Sequence, residues 1–135
     1  MRWLPALALA VGACQSELRL YDVQGPRYEA RAWLAGNANP SPFASNRFET
    51  QAAGAAFIDP LYVLGADTVY MVNVEQDSAW VQDEGGPYSD ALLIRLPADP
   101  SARERLFAVN AREARLEGFD PELDHGQQYL FFWWD

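Results

Sequence analysis

The chain has 135 residues, half of them hydrophobic and 13% aromatic, so it has the length of one domain and enough apolar side chains for a packed core. It has ten basic residues, all arginine, against 19 acidic residues, and its formal net charge is −9. This balance argues against nucleic acid, which is bound through a surplus of Lys and Arg, and against adsorption to anionic lipid. The charge either keeps the protein soluble or attracts a cationic partner.

The first residues are typical of a short export signal. Arg2 precedes an uncharged apolar run from Trp3 to Ala13. This run is shorter than the stretch of about 20 residues that a transmembrane helix needs, and it ends in small residues, as signal cleavage requires. We therefore predict a signal peptide over residues 1–13.

The signal ends in Val11-Gly12-Ala13-Cys14, which resembles a bacterial lipobox. The resemblance implies that the Cys14 thiol is linked to a diacylglycerol, that the chain is cut before it, and that acyl chains such as palmitate anchor the protein in a membrane. Cys14 is the only cysteine, so acylation would leave an exported domain without a free thiol. The alternative is a cytoplasmic protein whose N-terminal apolar helix carries a buried cysteine.

The same resemblance suggests a location in the cell envelope. Gln15, rather than an aspartate, follows the cysteine, which favours the periplasmic face of the outer membrane over the inner membrane. Residues 14–17 are then the acylated cysteine and a short tether. With the signal removed, nine arginines against 19 acids leave a net charge of −10.

The remainder, residues 18–135, is predicted to be a single β-rich domain. Short stretches of alternating or β-branched residues, separated by turn residues, predict strands. The clearest is 68–75, whose nearly continuous apolar character predicts a strand covered on both faces. A helix is the alternative for 29–35, and the small residues of 52–56 suggest a close backbone approach or a bulge. The predicted strands lie at 18–23, 27–34, from 48 onward, 68–75, 79–82, 91–96 and 129–134.

One short helix is predicted near 100–111. Asp99 is a suitable N-cap residue and Pro100 suits the first helical position. Ala102, Leu106 and Val109 then recur at helical spacing. This pattern predicts about three turns.

A short motif precedes the last strand. Leu123, Gly126 and Tyr129 have the spacing of the tyrosine corner of immunoglobulin-like and fibronectin-type sandwiches, which this segment resembles. Together with the strand pattern, the resemblance implies a mainly β fold, namely a small sandwich of short antiparallel strands. The alternative is an ordinary strand that starts after a glycine turn.

The sequence predicts no catalytic residue, no metal site and no cofactor. His125 is the only histidine, which excludes sites with several histidine ligands, and no serine has the Gly-x-Ser-x-Gly context. Asp120, Glu122 and Asp124 alternate in one turn, but their spacing is not that of an EF-hand loop. We expect this turn to be a solvated loop.

The tryptophans of the mature chain are the remaining candidates for a binding role. Exposed tryptophans anchor protein partners or stack on sugars, and adjacent tryptophans in a strand point to opposite faces. The leading prediction is a membrane-anchored, non-enzymatic envelope protein that binds another envelope protein. The alternatives are an acidic inhibitor or immunity-type protein against a cationic envelope enzyme, and a carbohydrate-binding module. The candidate residues are Trp33, Trp80, Trp133 and Trp134.

Overall fold

The computed structural model describes residues 23–135. The predicted signal peptide, Cys14, the tether and most of the first predicted strand lie outside the described residues. None of the helices from residue 23 onward is both long and apolar enough to cross a membrane.

The described chain forms one sheet of four strands, and each strand pairs with the next in an antiparallel direction, in the order β1-β2-β3-β4. Helices precede or connect the strands. In chain order the elements are β1 (Tyr28–Glu29), α1 (Ala30–Ala35), α2 (Gln51–Val63), β2 (Thr68–Val72), α3 (Ala79–Asp83), β3 (Ala91–Arg95), α4 (Pro100–Glu117) and β4 (Tyr129–Trp133).

The prediction of a mainly β sandwich is wrong. Helices account for 37% of the structure and strands for 19%, and the described residues form a single sheet with helices packed on it. The fold is therefore mixed α/β. The sequence patterns predict β2, β3 and β4 correctly, whereas the segments 30–35, 51–63 and 79–83, where strands or a bulge are predicted, form helices α1, α2 and α3.

Helix α1 lies where the alternating pattern of 27–34 predicted a strand, with a helix as the alternative. The Glu29 carboxylate caps the helix and accepts from the backbone N–H groups of Arg31 (3.2 Å) and Ala32 (2.8 Å). Ala30 and Leu34, four residues apart, are its buried positions. This spacing matches a helical face as well as it matches strand alternation, and the cap decides between them.

Helix α2 occupies the small-residue stretch of 52–56, where the sequence predicts a close backbone approach or a bulge after a strand that starts near 48. The Thr50 hydroxyl caps it by accepting from the Ala53 N–H at 3.1 Å, and alanine is the best helix former. The small residues do permit a close approach. A Cβ added at Gly54 would lie 3.3 Å from the Phe43 ring, so this position holds the loop before α2 against the helix.

Helix α4 confirms the helix predicted near 100–111 and extends it to Glu117. The Asp99 carboxylate accepts from the Ala102 N–H at 2.8 Å, as an N-cap does. The helix ends where Gly118 takes a left-handed conformation with φ of 77°. By contrast, the predicted strand at 79–82 is the short helix α3.

The main core lies between the helices and one face of the sheet. Val69 and Met71 of β2 lie on this face, while Val72 lies on the opposite face with Leu93. Tyr129 and Phe131 on that opposite face are only partly buried. The prediction that the strand at 68–75 has cover on both faces therefore holds for these β2 residues, with a thinner layer on the side away from the helices.

The tyrosine corner required a second sheet, and residues 23–135 form only one. Leu123 is 76% exposed, and Gly126 has φ of 88°, as expected for a turn. Tyr129 opens β4, where the Arg27 guanidinium lies 5.0 Å from its ring centroid. This segment is thus the glycine turn and strand start that was the alternative interpretation.

Candidate functional site

The pairing of the strands brings three distant parts of the chain to one end of the sheet. Val72 pairs with Ala91, and Ala91 pairs with Trp133. The end of β2, the start of β3 and the end of β4 therefore lie side by side. The 73–90 connection and Asp135 emerge at this end of the sheet.

The connection between β2 and β3 is strongly acidic. No arginine occurs between Arg47 and Arg95. The connection therefore gives this end of the sheet negative charge without a basic residue of its own. Its five acidic residues are Glu75, Asp77, Asp83, Glu84 and Asp90.

Backbone hydrogen bonds hold the connection in place. Glu75 and Tyr88 exchange two of them, at 2.8 and 3.0 Å, and the Tyr88 hydroxyl accepts from the Ser45 N–H at 3.0 Å. On the other side of the turn, the buried Asn39 amide donates to the Gly86 carbonyl at 3.2 Å. These contacts fix the acidic residues on a supported segment rather than on a free loop.

Trp80 projects from this connection. It lies in α3, next to the buried Val81, and its side chain is 48% exposed. Its ring meets the Tyr88 ring edge to face, with centroids 5.3 Å apart. The neighbouring Val81 anchors the helix, so Trp80 is presented at the surface by a fixed scaffold.

Trp133 lies at the end of β4 and is 44% exposed. Its ring stacks on Phe119 with centroids 5.0 Å apart and planes 9° apart. Its indole lies near enough to the Asp90 carboxylate to oppose the rise in the pKa of that group. The stacking contact with Phe119 restricts the ring, so this surface tryptophan has less freedom to lose on binding.

The pKa of the Asp90 carboxyl is shifted by its surroundings at this end of the sheet. Partial burial raises its pKa above the ordinary value, and the negative charges of Asp135 and Glu75 raise it further. A backbone N–H and the Trp133 indole oppose that shift without cancelling it. The Glu75 and Asp135 carboxylates thus lie close enough to Asp90 to disfavour its charged form, and a nearby cation would oppose that effect.

We call this end of the molecule the acidic–aromatic surface; its residues are Glu75, Trp80, Tyr88, Asp90, Trp133 and Asp135. Carboxylates and exposed aromatic rings both attract cationic side chains, through charge and through the electron-rich faces of the rings.

Comparison with known proteins does not identify this surface. No known family model, characterised protein or solved structure matches this chain.

The structure separates the four candidate tryptophans into two pairs. Trp80 and Trp133 belong to the acidic–aromatic surface. Trp134 is 1% exposed, and Trp33 is partly buried against the same core. The adjacent Trp133 and Trp134 therefore point to opposite sides, and only Trp133 is available to a partner.

The turn around His125 takes part in local hydrogen bonds. The backbone N–H of His125 donates to the Gln127 side chain at 3.0 Å. Arg103 pairs with the Asp124 carboxylate at 2.7 Å, and this contact holds the pKa of Asp124 below its usual range. Within residues 23–135 no group of three or more His, Cys, Asp or Glu side chains is placed to hold a metal ion.

Sequence reasoning missed the carboxylates of the surface. Asp90, Glu75 and Asp135 are far apart along the chain, and only the register of three strands brings them together. The long interval without arginine between Arg47 and Arg95 was the one available signal. It indicates where negative charge concentrates, but not which aromatic rings lie beside it.

Proposed function

We propose that this chain is a lipid-anchored, non-enzymatic protein of the bacterial cell envelope, and that its acidic–aromatic surface binds a basic protein partner. The observation that carries the binding role is that the Glu75 and Asp135 carboxylates act on Asp90 at the same end of the sheet that carries the exposed Trp80 and Trp133. The lipobox-like segment at Cys14 supports the anchor.

The chemistry of the surface favours a protein as the partner. Tryptophan and tyrosine are enriched among the residues that dominate binding energy at protein interfaces, and both occur in the acidic connection between β2 and β3. Acidic residues concentrated in this way steer an oppositely charged partner during its approach and favour it over others. A cationic enzyme that this protein inhibits is one form of such a partner, and a basic subunit of an envelope assembly is another.

The first test removes charge from the surface. We expect the double variant Glu75→Gln/Asp135→Asn to lose most of a basic partner that co-purifies with the full-length protein from solubilised membranes at low salt. The reason is that the two carboxylates whose negative charge acts on Asp90 are neutralised. Raising the salt to about 1 M, where charges are screened beyond about 3 Å, should release the partner from the unaltered protein. Quantitative mass spectrometry of the recovered proteins measures both effects.

A matched control removes the same charge elsewhere. Asp67 precedes β2 at the opposite end of the sheet and Glu104 lies in the first half of α4; both are exposed. Asp67→Asn/Glu104→Gln should retain the partner. Equal loss from both double variants, or a retained partner that is itself acidic, would contradict the proposed binding surface.

The second test addresses the anchor. Replacing Cys14 with serine should move the protein from the detergent phase to the aqueous phase in a phase-partitioning experiment, because the acyl chains that would hold it have no attachment point. Metabolic labelling with a palmitate analogue should mark the unaltered protein and not the variant. If the variant partitions as the unaltered protein does, the anchor is wrong and the binding surface must be considered without it.

A further inference from the structure

A cleft opens beside Trp133. It lies between the second half of α4, the segment that follows that helix, and β4, and its volume is about 180 Å³. Small-molecule sites usually measure about 300 to 1,000 Å³, so this cleft suits a single inserted side chain better than a cofactor. We call it the Trp133 cleft; the residues used below are Asn110, Glu113, Phe119, Asp120, Glu122 and Trp133.

The floor of the cleft is rigid and fully hydrogen-bonded. Asn110 is 4% exposed; its amide donates to the Phe131 carbonyl at 2.9 Å, and its oxygen accepts from the Glu122 N–H at 3.0 Å. Glu113 is 2% exposed and accepts from Arg47 and from the Trp134 indole. Both side chains already have hydrogen-bond partners. The floor of the cleft therefore defines its shape and offers no unpaired charge to a ligand.

The walls and the rim contribute the chemistry. The stacked rings of Phe119 and Trp133 form an aromatic wall. Asp120 is exposed at the rim. The arginines that contact the buried Glu113, Arg47 and Arg112, are paired with it. The opening therefore combines an aromatic face with the Asp120 carboxylate.

Arginine is the side chain that fits this combination. Its planar guanidinium stacks on aromatic faces and pairs with carboxylates through two parallel hydrogen bonds, whereas the lysine ammonium is a compact point charge that cannot stack. We propose that the Trp133 cleft accepts an arginine side chain of the basic partner. This inference rests on the proposed function and narrows it, because it names the residue that the partner must present.

The test compares two peptides of equal charge, penta-arginine and penta-lysine, by titration calorimetry against the detergent-solubilised full chain at low salt. The unaltered protein should bind penta-arginine more tightly. Trp133→Ala should reduce the affinity for penta-arginine about two- to tenfold and leave that for penta-lysine nearly unchanged. Asp120→Asn removes a negative charge and should weaken both peptides, penta-arginine more than penta-lysine. Trp80→Ala removes an exposed tryptophan outside the cleft and should preserve the preference for arginine.

The outcomes separate this inference from the proposed function. If neither peptide binds, the proposed binding of a basic partner fails, and the cleft assignment fails with it. If both peptides bind equally, or if the preference for arginine survives both cleft variants, the surface binds cations but the Trp133 cleft does not select arginine. Urea unfolding of each variant shows that it is folded, as expected because Trp133 and Asp120 are exposed.

Discussion

Replacing Trp134 with alanine is expected to lower the free energy of unfolding by about 3 to 5 kcal/mol. The side chain is 1% exposed and lies at the centre of an aromatic cluster, so its removal leaves a cavity that the surrounding rings cannot fill. Urea denaturation followed by circular dichroism measures the change. The ring centroids of Phe43, Phe48, Phe57 and Phe132 lie 5.2, 5.5, 5.7 and 5.7 Å from that of Trp134.

Two further variants identify the cause of that loss. Trp134→Phe keeps an aromatic ring but removes the indole N–H that donates to Glu113 at 3.1 Å, so it should cost less than Trp134→Ala. Trp133→Ala, at the adjacent position, should cost clearly less than Trp134→Ala, because the Trp133 side chain is 44% exposed and its removal leaves no enclosed cavity. Equal losses for Trp133→Ala and Trp134→Ala would contradict the assignment of one tryptophan to the surface and the other to the core.

Trp133 and Trp134 show which part of the structure around them can be predicted from the sequence and which part cannot. Strand alternation predicts that Trp133 and Trp134 point to opposite sides, because successive side chains alternate across a strand. It does not tell which side carries helices. That depends on α2 and α4, which cover the face where Trp134 packs, and their placement is a property of the folded chain.

The helices and strands also fall into those that local sequence signals predict and those that they do not. β2 and β3 are rich in β-branched and aliphatic residues, and α4 begins with an N-cap and a proline, so local signals suffice for all three. α1 and α2 are short or alanine-rich, and their apolar spacing also fits extended chain. Threonine is a preferred N-cap residue, so Thr50 is a local signal for the start of α2. Glutamate is not among the preferred N-cap residues, and the cap that Glu29 forms on α1 follows only from the folded chain.

The acidic–aromatic surface is harder to predict from the sequence than these helices and strands, because it depends on the register in which the strands pair. A shift of β4 by one residue against β3 would turn every side chain of β4 to the other face of the sheet. Trp133 would then no longer lie beside Asp90. The tryptophans could be proposed as binding residues from the sequence, but their acidic neighbours follow only from the pairing of Ala91 with Trp133.

Removing Arg47 is the other change with a large expected effect. Its guanidinium forms a paired contact with the Glu113 carboxylate, at 2.9 and 3.2 Å, and Glu113 is 2% exposed. Arg47→Met would leave this buried charge with only the longer 3.4 Å contact to Arg112 and the Trp134 indole. We expect a loss of about 3 kcal/mol in the free energy of unfolding, measured by urea denaturation at neutral pH.

The cause of that loss is tested by removing the charge as well. Glu113→Gln keeps a carbonyl oxygen for the Trp134 indole but carries no charge, so the double variant Arg47→Met/Glu113→Gln should be more stable than Arg47→Met alone. Arg31 and Asp59 form a control pair that is 48% and 60% exposed, and Arg31→Met should cost about 1 kcal/mol or less. The opposite result is that the stability losses of the two single variants add up in the double variant. In that case the stability lost with Arg47 comes from its packing against Phe48, and not from the Glu113 carboxylate left without a partner. The Phe48 ring centroid lies 4.7 Å from the Arg47 guanidinium.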